Sequence, residues 1–270
     1  MLHNVPGKLS ELYFAIAIHK TVFIIRLFPA PGLIFAAMHF TFFGHACFLV
    51  DTGAHKILFD PFITPNEQAS HIRLADIEAD YILLSHGHDD HMADCIALAQ
   101  STGATVVCNF EIHAWLQQNG IKKTHPMNTG GSWDFGGFQV KCTVAHHSSS
   151  LPGGIYGGNP IGFIVYNPSG NFYYSGDTAL TLDMQLIPRW VKLNFAVLPI
   201  GDNFTMGYSD ALEAAKMIDC REIIGVHYDT FGFIKIDKEK AVRTFEMEGF
   251  NLRLCSIGEK ISLKESPVTE

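Results

Sequence analysis

Short apolar runs, cut by glycine, proline and polar turns, dominate the chain from Met38 onward. Phe40–Phe43, Cys47–Val50 and Ile57–Phe59, broken by Gly44, Gly53 and Pro61, predict strands joined by tight turns. Tyr81–Leu84 predicts a further strand, followed by a helix over Ala93–Gln100 that Gly103 stops. Thr105–Cys108 returns to strand, and Glu111–Gln118 reads as a helix with Gly120 near its C-cap. Phe138–Ala145 alternates apolar and polar positions as a strand does. Ile161–Tyr166 and Asn171–Tyr174 flank Asn167-Pro168-Ser169-Gly170, the pattern of a hairpin. Phe195–Ile200 and Ile223–Val226 predict buried strands; Asp210–Ile218, with Asp210 and Glu213 at capping-box spacing, and Lys238–Met247 predict helices. Leu252–Cys255 and Lys260–Leu263 close the chain as strands. The glycine-rich segment Leu151–Gly158 fits either a mobile lid or a plain turn.

So many short strands with interleaved helices make a mixed α/β (α+β) chain, best buried as two mixed sheets packed face to face with helices outside. No Pro/Gly/Ser-rich linker divides residues 38–270, which therefore read as one domain. The first 37 residues read as a separate N-terminal extension, non-native or disordered, with Met38 a candidate start of translation. Their apolar runs are interrupted at His19-Lys20 and Arg26, well short of the roughly 18–20 residues that cross a bilayer.

Composition narrows the function. The formal net charge of −8 over 270 residues argues against a nucleic-acid partner. The six cysteines are scattered through apolar runs with no C-x-x-C pair, which predicts buried core thiols and a reducing, cytoplasmic location. Neither a Gly-x-Ser-x-Gly nucleophile elbow nor a Gly-x-x-x-x-Gly-Lys phosphate loop occurs.

The chemistry concentrates in Ser85-His86-Gly87-His88-Asp89-Asp90-His91, between a strand and a helix. His86 and His88 are two apart, so in extended chain they project to one side. Imidazole nitrogen and carboxylate oxygen suit borderline divalent metals, and four such groups within six residues crowd a single ion. Further ligands would come from strand ends: His146-His147, Asp177 and His227.

These stretches, with Phe43-Gly44-His45-Ala46-Cys47, Phe59-Asp60-Pro61, Ser175-Gly176-Asp177-Thr178, Leu198 to Gly207 and Val226 to Phe231, resemble the metallo-β-lactamase superfamily. More narrowly, they resemble a group of bacterial and archaeal metal-dependent hydrolases related to the ascorbate-6-phosphate lactonase-like branch. The resemblance implies a four-layer αββα sandwich and two divalent ions, Zn2+ first, with Mn2+, Ni2+ or Fe2+ also suited. It implies His86, His88 and His147 on one ion, Asp90, His91 and His227 on the other, and Asp177 bridging. Asp90 and His91 would be catalytic as well as ligating. His147 is preferred to His146 because the family places its ligand just before the serine pair. Asp60 is either a partner that orients a ligand imidazole or a turn residue before Pro61. His45 either enters the site or packs at a strand end. Asn203 either polarises a reacting oxygen or forms a turn. The implied activity is hydrolysis of a small-molecule ester, lactone or phosphodiester by a metal-bridged hydroxide. Alternatives are a nuclease or phosphodiesterase, a phospholipase, and a non-hydrolytic metal-binding protein. A homo-oligomer is compatible with all of these.

Overall fold

The computed structural model describes residues 37–263, together with the backbone of two strands nearer the N-terminus. Those two, β1 (Tyr13–Ile18) and β2 (Thr21–Arg26), pair antiparallel in a unit of their own. The rest of the 1–37 extension lies outside the described residues apart from Ala37.

The second unit begins with β3 (Met38–Gly44), β4 (Cys47–Asp51), β5 (Lys56–Phe59) and β6 (Tyr81–Leu83). A short helix α1 (Asp89–Met92) and α2 (Cys95–Thr102) lead to β7 (Thr105–Cys108), α3 (Phe110–Gln118) and β8 (Thr124–Pro126). There follow β9 (Ser132–Asp134), β10 (Gln139–Val144), a small hairpin of β11 (Ser150–Leu151) with β12 (Ile155–Tyr156), β13 (Ile161–Tyr166) and β14 (Phe172–Tyr174). The chain closes with β15 (Phe195–Pro199), α4 (Tyr208–Met217), β16 (Glu222–Val226), α5 (Lys238–Met247), β17 (Asn251–Arg253) and β18 (Lys260–Leu263).

Among the described residues these strands form two seven-stranded sheets, ordered β18-β3-β4-β5-β6-β7-β8 and β17-β16-β15-β14-β13-β10-β9. Both are mixed. β5 to β8 run parallel in the first sheet, and β14 to β17 run parallel in the second. Three apolar layers hold the stack. Between the sheets, Phe40, Phe48 and Phe59 of the first meet Phe163, Phe172 and Tyr174 of the second. Leu58, Ile82 and Val106 face the other way, onto Leu98 and Ile112 of α2 and α3. Ile164, Ala196 and Ile223 face outward in the second sheet, onto Ala211 and Phe245 of α4 and α5. A strand buried on both faces needs apolar residues at successive positions. That explains the unbroken runs at Ile57–Phe59 and Phe195–Leu198. The αββα sandwich is therefore the architecture.

Two local expectations change, and one open alternative is narrowed. The capping box at Asp210 and Glu213 does not form: Gly207 is the N-cap of α4 and no side chain caps it, so Asp210 sits inside the first turn. The helix expected over Ala93–Gln100 is α2, Cys95–Thr102, and a separate short α1 precedes it; between them the Asp94 carboxylate accepts from the backbone N–H of Ile63 and Thr64. The Leu151–Gly158 segment is a turn between two paired strands, with Gly153 and Gly154 at positive φ at its tip. β8 and β9 went unpredicted, being three-residue edge pieces without an apolar run.

The inter-sheet aromatic layer generates a quantitative expectation. Phe59 stacks on Phe48 at 4.5 Å between centroids and meets Phe172 across the interface at 5.8 Å. Phe59→Ala should lower unfolding free energy by about 3–5 kcal/mol, read from chemical denaturation with unchanged denaturant slope. A loss below about 1 kcal/mol would contradict a close-packed layer.

Candidate metal centre

Because β5 and β6 are parallel neighbours, as are β14, β15 and β16, their C-terminal ends open on a common edge of each sheet. The predicted residues come from these ends: Asp60 after β5, His86 to His91 after β6, His147 after β10, Asp177 after β14 and His227 after β16. His45 comes from the β3–β4 turn.

The ligand atoms of His86, His88 and His147 lie within 4.8 Å of one another, as do those of His45, Asp90, His91 and His227. Asp177 Oδ2 stands between these groups, 2.9 Å from His227 Nε2, 3.2 Å from His91 Nε2 and 3.7 Å from His147 Nε2. His146 turns away: its side chain is 61% exposed and its Nε2 stands 3.9 Å from Asp183 Oδ2. Alternation of side chains along extended backbone separates the two neighbours.

Asp60 is completely buried and organises the imidazoles from behind. Its Oδ1 accepts from the Ser85 backbone N–H at 2.7 Å. Its Oδ2 accepts from Ser85 Oγ at 2.5 Å, Tyr174 Oη at 2.6 Å and His91 Nδ1 at 2.9 Å. With the Ser85 proton committed to Asp60, Ser85 Oγ accepts from His86 Nδ1 at 2.9 Å. Both His86 and His91 are thus held by Nδ1 with Nε2 facing inward, which is the orientation a metal requires. Tyr174 stays a donor, since burial and then the Asp60 carboxylate raise its pKa well above the ordinary phenol value. Ser85 and Tyr174 had no predicted role. Ser85 sits directly before His86, but Tyr174 reads simply as a core strand residue.

His45 is drawn in as well. Its Nε2 lies 3.1 Å from Asp90 Oδ2 and its Nδ1 2.9 Å from Thr230 Oγ1. An Nε2–H tautomer, with the Thr230 hydroxyl donating to Nδ1, satisfies both contacts. Thr230 had no predicted role either. Asn203 does not join either ligand group. It lies at φ 55° in a tight turn, its backbone N–H donating to Asp202 Oδ1.

Electrostatics fit a cation. Burial first, then neighbouring His91, push the His86 pKa well below the ordinary imidazole value; burial likewise lowers His88 and His147. His45 falls to about 4 through burial and then His227. Burial opposes ionisation of Asp177, yet His227 and His91 outweigh it and hold the carboxyl well below its usual range. Burial also opposes a charge on His91, but Asp177 and Asp60 raise it well above the ordinary value. Moreover, His91 Nε2, Asp177 Oδ1 and His227 Nδ1 are buried without a hydrogen-bond partner. Buried polar groups normally have partners; Asn66 Nδ2, Thr143 Oγ1 and Tyr173 Oη also lack one, and of the three ligand atoms it is His91 Nε2 that faces the ligand groups, where a divalent metal would satisfy it.

The backbone is distorted to build this arrangement. His45, Asp60 and His227 adopt φ of 55°, 41° and 57°. Such left-handed non-glycine residues cost about 1–3 kcal/mol each and persist where the surroundings over-determine them. Gly201 is part of that surrounding: a Cβ there would meet the His227 carbonyl oxygen at 2.1 Å.

Residues 55–228 match the family model of a β-lactamase superfamily domain. A UPF0173 metal-dependent hydrolase of Christiangramia forsetii is 50% identical over 227 residues, covering 84% of this chain and all of the relative. Its counterpart in Flavobacterium johnsoniae is 48% identical over 226 residues, with the same coverage. Among solved structures, Igni18, a metallo hydrolase from Ignicoccus hospitalis, superposes with a TM-score of 0.77 at 29% identity, over 85% of this chain and 99% of that one. An isothiocyanate hydrolase from Delia radicum gut bacteria shares the fold, with a TM-score of 0.69 at 17% identity over 85% of this chain and all of that one. The matches carry the superfamily and the UPF0173 group; the finer likeness to the lactonase-like branch remains a resemblance.

Two outcomes are expected of this geometry. His45→Ala, by freeing Asp90, should weaken metal binding about 10- to 100-fold in a metal titration. Acidification should release bound metal, because protons compete for the imidazole ligands. Metal content should fall with pH, read by metal analysis after equilibration at each pH; metal retained at a pH that protonates ordinary imidazoles and carboxylates would contradict the assignment.

Proposed function

The chain belongs to the metallo-β-lactamase superfamily and, within it, to the UPF0173 metal-dependent hydrolases, and from that membership and the site geometry we propose a dinuclear hydrolase of small-molecule esters, lactones or phosphodiesters. The observation that carries this is Asp177 Oδ2, within 3.7 Å of a ring nitrogen from each of two ligand groups. One ion would be held by His86, His88 and His147, the other by Asp90, His91 and His227, with Asp177 shared.

When bound, the two divalent ions would supply a hydroxide nucleophile at neutral pH and an electrophile for the developing oxyanion. The chain's own residues prepare the rest. Asp60 and Ser85 hold the His91 and His86 rings by Nδ1, His45 holds Asp90, and burial of His86 and His91 excludes water from behind the site. Asp90, whose side chain is 27% exposed, and the half-buried His88 and His147 mark the side from which substrate enters. Asp90, on the exposed side of the ligand groups, would be a group able to take up a proton there. Burial raises its pKa, but His45 and His91 outweigh this and hold the carboxyl well below its usual range, so the free carboxylate is a better ligand than base.

Zinc is the first choice of metal, with Mn2+, Ni2+ and Fe2+ compatible with the same donors. The net charge of −8 disfavours nucleic acid as substrate. No helix among the described residues is long and apolar enough to cross a membrane. Six buried, unpaired thiols support a reducing compartment, which we take to be the cytoplasm.

The metal-loaded protein should contain about two ions per chain by elemental analysis. Hydrolysis should cease on chelation and return with metal. His88→Ala should abolish turnover and lose the first ion while retaining native circular dichroism. One ion in the active wild type, or full activity in His88→Ala, would overturn the dinuclear reading.

A further inference from the structure

Beside the metal centre lies a cavity of about 740 Å³ whose walls include Phe204, Phe231, Phe233, Pro65 and Thr230. This is the size of a pocket that takes a small organic molecule. Three loops build it, and each leaves from the site. The 61–68 loop follows Asp60; the 201–207 loop is pinned by Met206, whose N–H donates to the carbonyl of Thr178 beside Asp177; the 228–234 loop follows His227. Thr230 Oγ1 touches His45 at 2.9 Å, and the Phe231 ring stands 5.3 Å from the His45 ring. The loops are preformed: Gln68 Nε2 donates to the Asp229 carbonyl at 2.8 Å, and the Asp229 N–H donates to the Ile234 carbonyl at 2.8 Å.

The cavity's surface is unusual for protein facing water. Phe233 is 77% exposed, Phe204 51% and Phe231 37%, with the Phe204 and Phe233 rings 6.3 Å apart. Rings gathered around a concavity mark a binding surface more than scattered exposed apolar residues do. The charge of the lining selects among ligands. Its ionisable member is Glu67, and no lysine or arginine accompanies it. A phosphate or carboxylate entering here would meet a like charge and no counter-ion. The depression on the other side of Phe233 has Lys235 and Lys240, but Asp202 and Asp237 balance them.

We propose that this cavity receives the uncharged acyl or aryl portion of the substrate, so that the bond presented to the metals belongs to a neutral ester or lactone bearing an apolar group. The inference rests on the hydrolase reading above and narrows it against phosphorylated and phosphodiester substrates. Phe204, Phe231 and Phe233 are then residues that set specificity.

The test uses the zinc-loaded full chain, p-nitrophenyl esters from acetate to octanoate, and bis(p-nitrophenyl) phosphate. In the wild type, kcat/KM should rise with acyl length, by up to about fourfold per methylene. The double variant Phe204→Ala, Phe233→Ala should flatten that rise, while Lys240→Ala keeps it. An unchanged slope in the double variant, or faster turnover of the phosphodiester than of every ester, overturns the proposal and leaves the hydrolase reading standing. If no compound is hydrolysed, the hydrolase reading fails for these bonds, and the cavity is decided by the neutral dye N-phenyl-1-naphthylamine. Dye fluorescence enhanced by the wild type and lost in the double variant supports an apolar subsite; equal enhancement overturns it. Conversion of an oligomer to a monomer by the same two substitutions, seen by size exclusion, also overturns it, since the aromatic face would then belong to a second copy.

Discussion

The Asp60 carboxylate is the contact on which the site depends. It is wholly buried, and it gathers donors from three places that the chain order keeps far apart: Ser85 after β6, His91 in α1, and Tyr174 at the end of β14. The first two belong to one sheet's edge and the third to the other sheet. A buried carboxylate stripped of its donors is costly, so each donor is compelled to stay in place. The result is two imidazoles held by Nδ1, with Nε2 turned toward the candidate metal centre. The same contact closes the gap between the sheets beneath the site, directly above the aromatic layer of Phe48, Phe59 and Tyr174.

Geometry at the active edge follows from parallel pairing. Strands running side by side in one direction deliver their C-terminal loops to one place, and ligands drawn from β6, β14 and β16 need no long excursions. The left-handed residues His45, Asp60 and His227 turn the chain sharply at those ends. Gly201 admits the His227 carbonyl where any side chain would collide with it. Precision at the metals is therefore taken out of backbone ease and sustained by a well-filled sandwich.

Much of this was legible in the residues. Unbroken apolar runs at Ile57–Phe59 and Phe195–Leu198 announce strands covered on both faces, and the His86–His91 cluster announces a metal. The convergence of His147, Asp177 and His227 on that cluster rested on family likeness, because spacing along a chain says nothing about which strand ends meet. What periodicity missed has a common cause. Tyr174 and Ser85 act through one polar atom each, on side chains that pattern as core or turn. β8 and β9 are too short to carry a period. The start of α4 was misplaced because Gly207 caps it through backbone conformation alone, leaving no side-chain signature. The cavity of Phe204, Phe231 and Phe233 was invisible for a related reason: isolated aromatics in separate loops become a surface only once the loops are brought together.

The division of ligands between the two sheets has a consequence for how the protein matures. His86, His88, Asp90 and His91 leave the ribosome together, more than fifty residues before His147 and well over a hundred before His227. A nascent chain bearing only that first cluster lacks the shared carboxylate and the partner imidazoles, so it holds metal weakly and can let go of a wrong one. A metal held by the full set proposed would therefore favour the completed sandwich over every partial one.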